Sequence, residues 1–292
     1  MNRGTGSMKK TSLFTRFLPF KKVIIGMVII ILILFTVAAF YNGLTINNYE
    51  ISTNKFETNE SVRIVLISDL HSHIYDENQN ELITKVKDQN PDIILLAGDI
   101  ADDNVPIEGT KLLLNGIKDI APVFYVSGNH EYWSGDIKNI KDTIRTYGVI
   151  ILEDEYSEII VNGVPIIIAG LDDPEWTMYE SKNSSSSMNE SFKDLKGKNQ
   201  YKILIAHRPE QIELYKQYPF DLVVSGHAHG GQVRIPFVLN GLIAPNQGWF
   251  PEYAGGMYQH DTLIHIVSRG LSNNYNVPRV FNPPEIVVID IN

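Results

Sequence analysis

Five times along the sequence a short apolar run ends and residues able to hold a metal ion begin. Val62–Ser68 is followed by Asp69 and His71, and Ile93–Ala97 by Gly98 and Asp99. Val123–Ser127 is followed by Gly128, Asn129 and His130, and Lys202–Ala206 by His207. Leu222–Ser225 is followed by Gly226, His227, Ala228 and His229. The residue types suit a two-metal hydrolase. A carboxylate can bridge two cations, imidazole supplies neutral nitrogen, and an asparagine amide supplies a carbonyl oxygen. Two cations roughly 3.5–4 Å apart can hold a hydroxide between them and clamp a phosphate, and water on such an ion loses its proton at a pKa of about 7. The sequence has no cysteine, which excludes a disulfide scaffold, a zinc finger and a thiolate nucleophile. The donor set that remains fits Mn, Fe or Zn. Any one of these histidines alone reads as an ordinary strand-end group; the repetition argues for a cluster.

The elements that must position these groups alternate. Apolar runs of buried-strand type are separated by helix-patterned segments over Asn80–Gln89, Pro106–Ile120, Asp136–Tyr147 and Glu210–Gln217. In sheets built this way the C-terminal strand ends meet at one crevice. Glycine before Asp99, Asn129 and His227 gives the backbone room to turn sharply. Glu158–Val161 and Val164–Ala169 flank Asn162-Gly163 and read as a hairpin. Residues 172–197, with the Ser184–Ser187 run, read as a loop-rich insertion. Gln232–Ile235, Leu263–Ser268 and Glu285–Ile291 read as late strands. The fold class is therefore α/β, with two packed mixed β-sheets flanked by helices. His73 reads as lining the mouth of the site or as an exposed loop group, Arg208 as a surface group that could meet a phosphate, Asp102 as a loop acid or a support for a ligand, and His265 as part of a strand. Trp249, Phe250, Tyr253 and Tyr258 form an aromatic loop that reads either as a lip for a lipid chain or membrane surface, or as ordinary packing.

The 292 residues are 43% hydrophobic with a net charge of −9. The first 22 residues carry six basic groups and no acid, leaving −15 on the remainder. An acidic body is a poor partner for nucleic acid. Val23–Phe40 is 18 residues without a charge, close to the span of a bilayer core. Basic residues flank it only on the N-terminal side, so the N-terminus is expected in the cytoplasm and the body outside. A cleaved signal peptide ending near Ala39 is the alternative; the length of the run favours an uncleaved anchor. The expected organisation is a basic tail over 1–22, a transmembrane anchor over 23–40, a tether with at most one strand over 41–59, and a catalytic domain over 60–292.

Asp69-Leu70-His71, Gly98-Asp99-Ile100-Ala101-Asp102, Gly128-Asn129-His130-Glu131, His207 and Gly226-His227-Ala228-His229 occur in the order of the motifs of the calcineurin-like metallophosphoesterases, and the sequence resembles that superfamily over residues 60–292. Gly230-Gly231-Gln232, Ser268-Arg269-Gly270 and Asn282-Pro283-Pro284-Glu285 are similar to a membrane-associated branch of it. The resemblance implies a four-layer sandwich and a pair of divalent cations. Asp69, His71 and His229 would hold one and Asn129, His207 and His227 the other, with Asp99 between them. His130 would contact the phosphate and serve the leaving oxygen. Arg269 gains a claim on the site through its motif. Members acting on phosphoproteins often carry Arg where this chain has Asp103, which points to small-molecule or lipid phosphodiesters instead. The implied substrate is a phosphate ester, with a lipid or envelope component favoured by the anchor. The alternatives are a hydrolase of a nucleotide-linked lipid pyrophosphate, similar to the diacylglucosamine-nucleotide hydrolases, and a non-catalytic cell-surface binding module.

Overall fold

Apolar runs covered on both faces become central strands, and that is how the middle of this chain is built. The computed structural model describes residues 14–57, 59–178, 184–272 and 277–292. Its strands in chain order are β1 (Thr45–Ile51), β2 (Val62–Ile67), β3 (Ile93–Ala97), β4 (Val123–Val126), β5 (Ile150–Ile151), β6 (Glu155–Val161), β7 (Val164–Leu171), β8 (Tyr201–Ala206), β9 (Leu222–Ser225), β10 (Ile243–Ala244), β11 (Gly248–Trp249), β12 (Gly256–His260), β13 (Leu263–Val267) and β14 (Glu285–Ile291). The first sheet has the order β1-β14-β2-β3-β4-β5 and the second β12-β13-β9-β8-β7-β6. Within each, the ligand-bearing strands run parallel: β2, β3 and β4 in the first, β8 and β9 in the second.

The helices are α1 (Phe14–Ala39), α2 (Asn80–Asp88), α3 (Glu108–Ile117), α4 (Asn129–Trp133), α5 (Ile137–Arg145), α6 (Ser184–Phe192) and α7 (Ile212–Tyr215). Successive strand residues point to opposite faces, and the core divides accordingly. Ile64, Leu66, Ile93, Leu95, Phe124 and Val126 face Ile166, Ile168, Ile203, Ile205 and Val224 of the second sheet. Their alternates Val65, Ile67, Ile94, Leu96 and Tyr125 pack on Leu82, Val86, Leu113, Leu114 and Ile144 of the outer helices. On the far side Ile167, Leu204 and Val223 meet Met188, Phe192, Ile212 and Tyr215. Helix, sheet, sheet and helix give the expected four layers.

The stretch expected as a tether with at most one strand carries one, β1, which pairs parallel with β14 from Thr45↔Glu285 to Ile51↔Ile291. Three other segments differ from their sequence reading. The Ser184–Ser187 run opens helix α6 rather than a linker, held by buried Met188, Phe192 and Leu195; residues 179–183 of that insertion lie outside the described residues. Gln232–Ile235 forms only the isolated bridges Val233↔Val280 and Ile235↔Leu239. The helix read over Glu210–Gln217 is a 3-10 turn at Pro209–Gln211 followed by the short α7. The basic tail up to residue 13 also lies outside the described residues.

Among the described residues one helix is long and apolar enough to cross a membrane, over Lys21–Ala39. Its 19 residues span about 28 Å at 1.5 Å per residue. Its apolar side chains stand exposed around the helix, while Ala39 at its end is buried. The carbonyl of Ala39 accepts a hydrogen bond from the Phe281 amide at 2.7 Å, and the Phe35 ring meets the Phe281 ring edge-on at 5.1 Å.

Candidate metal centre

Each ligand-type residue leaves its strand through a backbone turn that aims it inward. Asp69, His71, Asp99, His227 and His229 all have positive φ, between +48° and +67°. Non-glycine residues in that region cost about 1–3 kcal/mol each and persist where the surroundings dictate them. The turns are locked by backbone bonds from the Asp69 amide to the Gly98 carbonyl at 3.0 Å and from the His71 amide to the Asp99 carbonyl at 2.9 Å. Gly98 itself sits at φ +79°, and a Cβ there would lie 2.5 Å from Nδ1 of His207. At Gly226 the reason for glycine is close approach, since a Cβ would lie 2.5 Å from Oδ2 of Asp69.

The converging atoms fall into three groups. Asp69, His71 and His229 form one, Asp99, His207 and His227 a second, and His71, Asp102 and His130 a third, with ligand atoms within 4.8 Å of one another in each. Asp99 Oδ2 lies 3.2 Å from His207 Nε2 and 3.7 Å from His71 Nε2. His229 Nε2 lies 3.5 Å from Asp69 Oδ1, and His227 Nδ1 lies 3.2 Å from His207 Nε2. Ions with bonds of about 2.0–2.2 Å hold neighbouring ligands about 3–3.6 Å apart, so these gaps have the size of coordination edges. Asp69 Oδ2, Asp99 Oδ2 and Asn129 Oδ1 are buried and accept no hydrogen bond of proper geometry. Buried acceptors in that condition are costly in a finished site, and cations would satisfy them. The residues therefore fit a pair of divalent ions.

Charge and proton placement divide the histidines: the carboxylates beside His71 and His207 outweigh burial and raise both, while His227 and His229 are lowered. Burial, then the charges of neighbouring His207 and His71 respectively, hold His227 and His229 well below the usual histidine range, so both are the neutral imidazoles that ligation requires. Burial pushes Asp69 upward. Burial acts the same way on Asp99, yet His207 and His71 outweigh it and hold that carboxyl well below its ordinary range. His207 is raised to about 10, because Asp99 outweighs its burial; cations at the site would take over that compensation.

A surrounding set of residues fixes the ligand rings. His71 Nδ1 bonds Asp102 Oδ2 at 2.8 Å, and His207 Nδ1 bonds the Ala97 carbonyl at 2.8 Å, leaving Nε2 of each to face the site. Asn246 Oδ1 lies 2.8 Å from His227 Nε2, which leaves Nδ1 as the inward nitrogen. This is the usual support of a metal-bound histidine. Glu131, the fourth residue of the Gly-Asn-His-Glu motif, accepts the amides of Ile100, Gly128, Asp99 and Ala101 at 2.7–3.0 Å. It ties the loop after β3 to the start of α4. Burial and Asp99 push its carboxyl up to about 7, against the pull of the amide donors.

His130 lies outside the first two groups and belongs to the third, with His71 and Asp102. Its Nδ1 bonds Asp103 Oδ1 at 2.5 Å and lies 3.4 Å from Asp102 Oδ2. Its ring packs 4.4 Å from His71 and 4.8 Å from Trp133. The bond to Asp103 is made through Nδ1, not Nε2. Asp103, noted in the sequence only as a departure from the family pattern, is thus a direct neighbour of the expected acid.

Arg208 stands differently from its sequence reading. Arg208 is buried and clamped on Asp173 at 2.6 and 2.9 Å, with Glu175 at 3.1 Å and Asn246 at 2.8 Å. Its role is to hold the Asn246 loop against His227. Arg269 is ion-paired with the buried Glu285 and committed to the β14 junction. His265 lies in β13 as expected, and His73 packs on the Tyr75 ring. Neither Asn246 nor Asp173 carries a sequence signal, since both act across long chain separations.

The comparisons with known proteins accord with this geometry. The profile of the calcineurin-like phosphoesterases matches residues 62–231. A Helicobacter pylori protein described as an uncharacterized metallophosphoesterase is 30% identical over 260 residues, covering 86% of this chain. This chain spans 65% of that relative's length. The phosphodiesterase YaeI of Escherichia coli is 25% identical over 235 residues, or 78% of this chain and 82% of YaeI. Among solved structures, the NAD nucleotidase of Haemophilus influenzae superposes with a TM-score of 0.52 at 16% identity, over 73% of this chain and 46% of its own, a likeness of fold. With more than half of its length under that profile, and with the ligand-bearing strand ends gathered as described, this chain belongs to the calcineurin-like phosphoesterase family.

Proposed function

We propose that the protein is a phosphoesterase that hydrolyses phosphodiesters or phosphomonoesters with two divalent cations, Mn, Fe or Zn, on a membrane or envelope substrate. One observation supports the reading: two sets of buried ligand atoms lie side by side, with Asp99 of one set 3.7 Å from His71 of the other. When bound, the cations supply Lewis acidity and lower the pKa of water to about 7. The chain's own residues do the rest. Asp69, His71 and His229 hold one ion, Asn129, His207 and His227 the other, and Asp99 lies between. Asp102, the Ala97 carbonyl and Asn246 fix the imidazole rings, so that no ligand has to reorganise during turnover. His130, steadied through Nδ1 by Asp103, gives a proton from Nε2 to the leaving oxygen. The name of the Escherichia coli relative supports a diester.

The membrane part of the reading rests on α1 and on how it joins the body. Helix α1 is the anchor, with the N-terminus in the cytoplasm and the domain outside. Phe281 touches the end of α1, and its neighbour Asn282 donates a hydrogen bond to the His229 carbonyl at 2.8 Å. Only a few residues thus separate the anchor from the metal centre, which favours a substrate held in the same bilayer. The test uses the purified full chain in detergent with Mn and an aryl phosphodiester. Hydrolysis is expected, together with two bound ions per chain and loss of both in Asp99→Asn. A protein that binds two ions yet hydrolyses neither monoester nor diester would instead be a binding module. Protease accessibility in sealed vesicles reports the side on which the body lies.

A further inference from the structure

The segment after the metal-ligand turn carries an apolar tip that the proposed reaction does not use. Ile235, Phe237 and Val238 are exposed, with Phe237 fully open and Val238 at 80% of its free surface. The tip is a fixed turn: Val238 and Leu239 amides both bond the Ile235 carbonyl, at 2.9 and 2.8 Å, and the Ile235 amide bonds the Leu239 carbonyl at 2.9 Å. Isolated exposed apolar residues need no explanation, whereas a contiguous set held in place marks a contact surface. This set lines a cleft of about 450 Å³ whose other wall is Phe281.

Phe281 identifies the occupant. It is the residue whose amide meets the last helical carbonyl of α1 and whose ring packs on Phe35. One side chain therefore belongs both to the end of the anchor and to the wall of the cleft. A helix that crosses the hydrocarbon core of about 30 Å leaves it at its end, beneath a headgroup layer about 5–8 Å thick. The cleft and its tip then stand at headgroup depth. We infer that the Ile235–Leu239 tip is a second membrane contact, which enters the interfacial layer of the same phospholipid bilayer that holds α1. An apolar tip there gains burial without crossing. Two points of attachment fix the tilt of the body, and through Asn282 they hold the metal centre over the lipid headgroups. The inference rests on the anchor reading given above.

The absence of cysteine makes the test direct. Single-cysteine variants Phe237→Cys, Val238→Cys, Ile30→Cys and Ile160→Cys of the full chain are labelled with an environment-sensitive fluorophore. They are reconstituted into vesicles of phosphatidylcholine and phosphatidylglycerol bearing shallow or deep doxyl quenchers. Ile30 lies in α1 and reports the anchor; Ile160 is exposed on the outer strand β6 and reports solvent. The expected result is a blue shift and shallow quenching at 237 and 238, deep quenching at 30, and neither at 160. If 30 is quenched while 237 and 238 behave like 160, the anchor stands and the second contact is overturned, leaving the tip to a protein partner. If 30 itself stays unquenched, the anchor reading and this inference fall together.

Discussion

His130 is the site residue whose role separates most cleanly from metal binding, because its ring bonds Asp103 and belongs to neither ligand group of the proposed pair. His130→Ala is expected to lower kcat roughly 10²–10⁴-fold, the usual worth of a positioned acid, with the metal content unchanged by elemental analysis. Retained full activity would remove His130 from the mechanism. Asp102 works through His71 instead. Asp102→Asn is expected to weaken cation affinity roughly 10–100-fold, measured by competition with a chelating dye, and added metal should recover most of the turnover. A variant that loses turnover at saturating metal with its affinity intact would show that the bond to His71 is not what matters. The candidate ligands stood out in the sequence because each has a distinctive chemical type placed at the end of an apolar run. Asp103, Asn246 and Asp173 did not, because their partners lie 27, 19 and 35 residues away and only the folded chain brings them together.

Strands whose two faces are both covered announced themselves. β3, β9 and β14 match their sequence reading residue for residue, since continuous apolar runs have few other uses. The polar edge strand β12 and the serine-led helix α6 were hidden, because their order comes from neighbours rather than from their own pattern. One central element carries a titratable group with no catalytic duty. His265 in β13 is fully buried, has Ser225 Oγ 3.1 Å from Nε2, and is pushed down to about 3 by burial and by His260. An unfolded histidine takes up its proton below about 6.5, so between pH 6.5 and about 3 the unfolded chain binds the extra proton. Stability therefore falls as pH falls through that window, by about 2 kcal/mol from this residue at pH 5. His265→Gln is expected to flatten the drop in urea midpoint between pH 7 and pH 5. An unchanged slope would mean that His265 is protonated in the fold.

At the scale of the whole molecule, the two sheets are clamped at their strand ends by the same residues that would bind the ions. Stripping the cations leaves Asp69 and Asp99 buried without their counter-charges, a costly state. Cations at a hundredfold excess over Kd stabilise by about 2.7 kcal/mol per site, so a chelator is expected to lower Tm by roughly 5–10 °C per site for a domain of this size. Scanning calorimetry with and without chelator, then with Mn restored, checks this. Identical melting curves would mean that no ion contributes to the fold. The order of assembly follows from a different feature. The strand that follows α1, β1, has β14 as its neighbour in the sheet, and Thr45 pairs with Glu285 across 240 residues of chain. A ribosome releases β1 long before its mate exists, so the first sheet closes only after the whole intervening chain has emerged. Every candidate ligand, from Asp69 to His229, is made before β14, so these side chains can gather while the sheet that carries half of them still lacks its last strand.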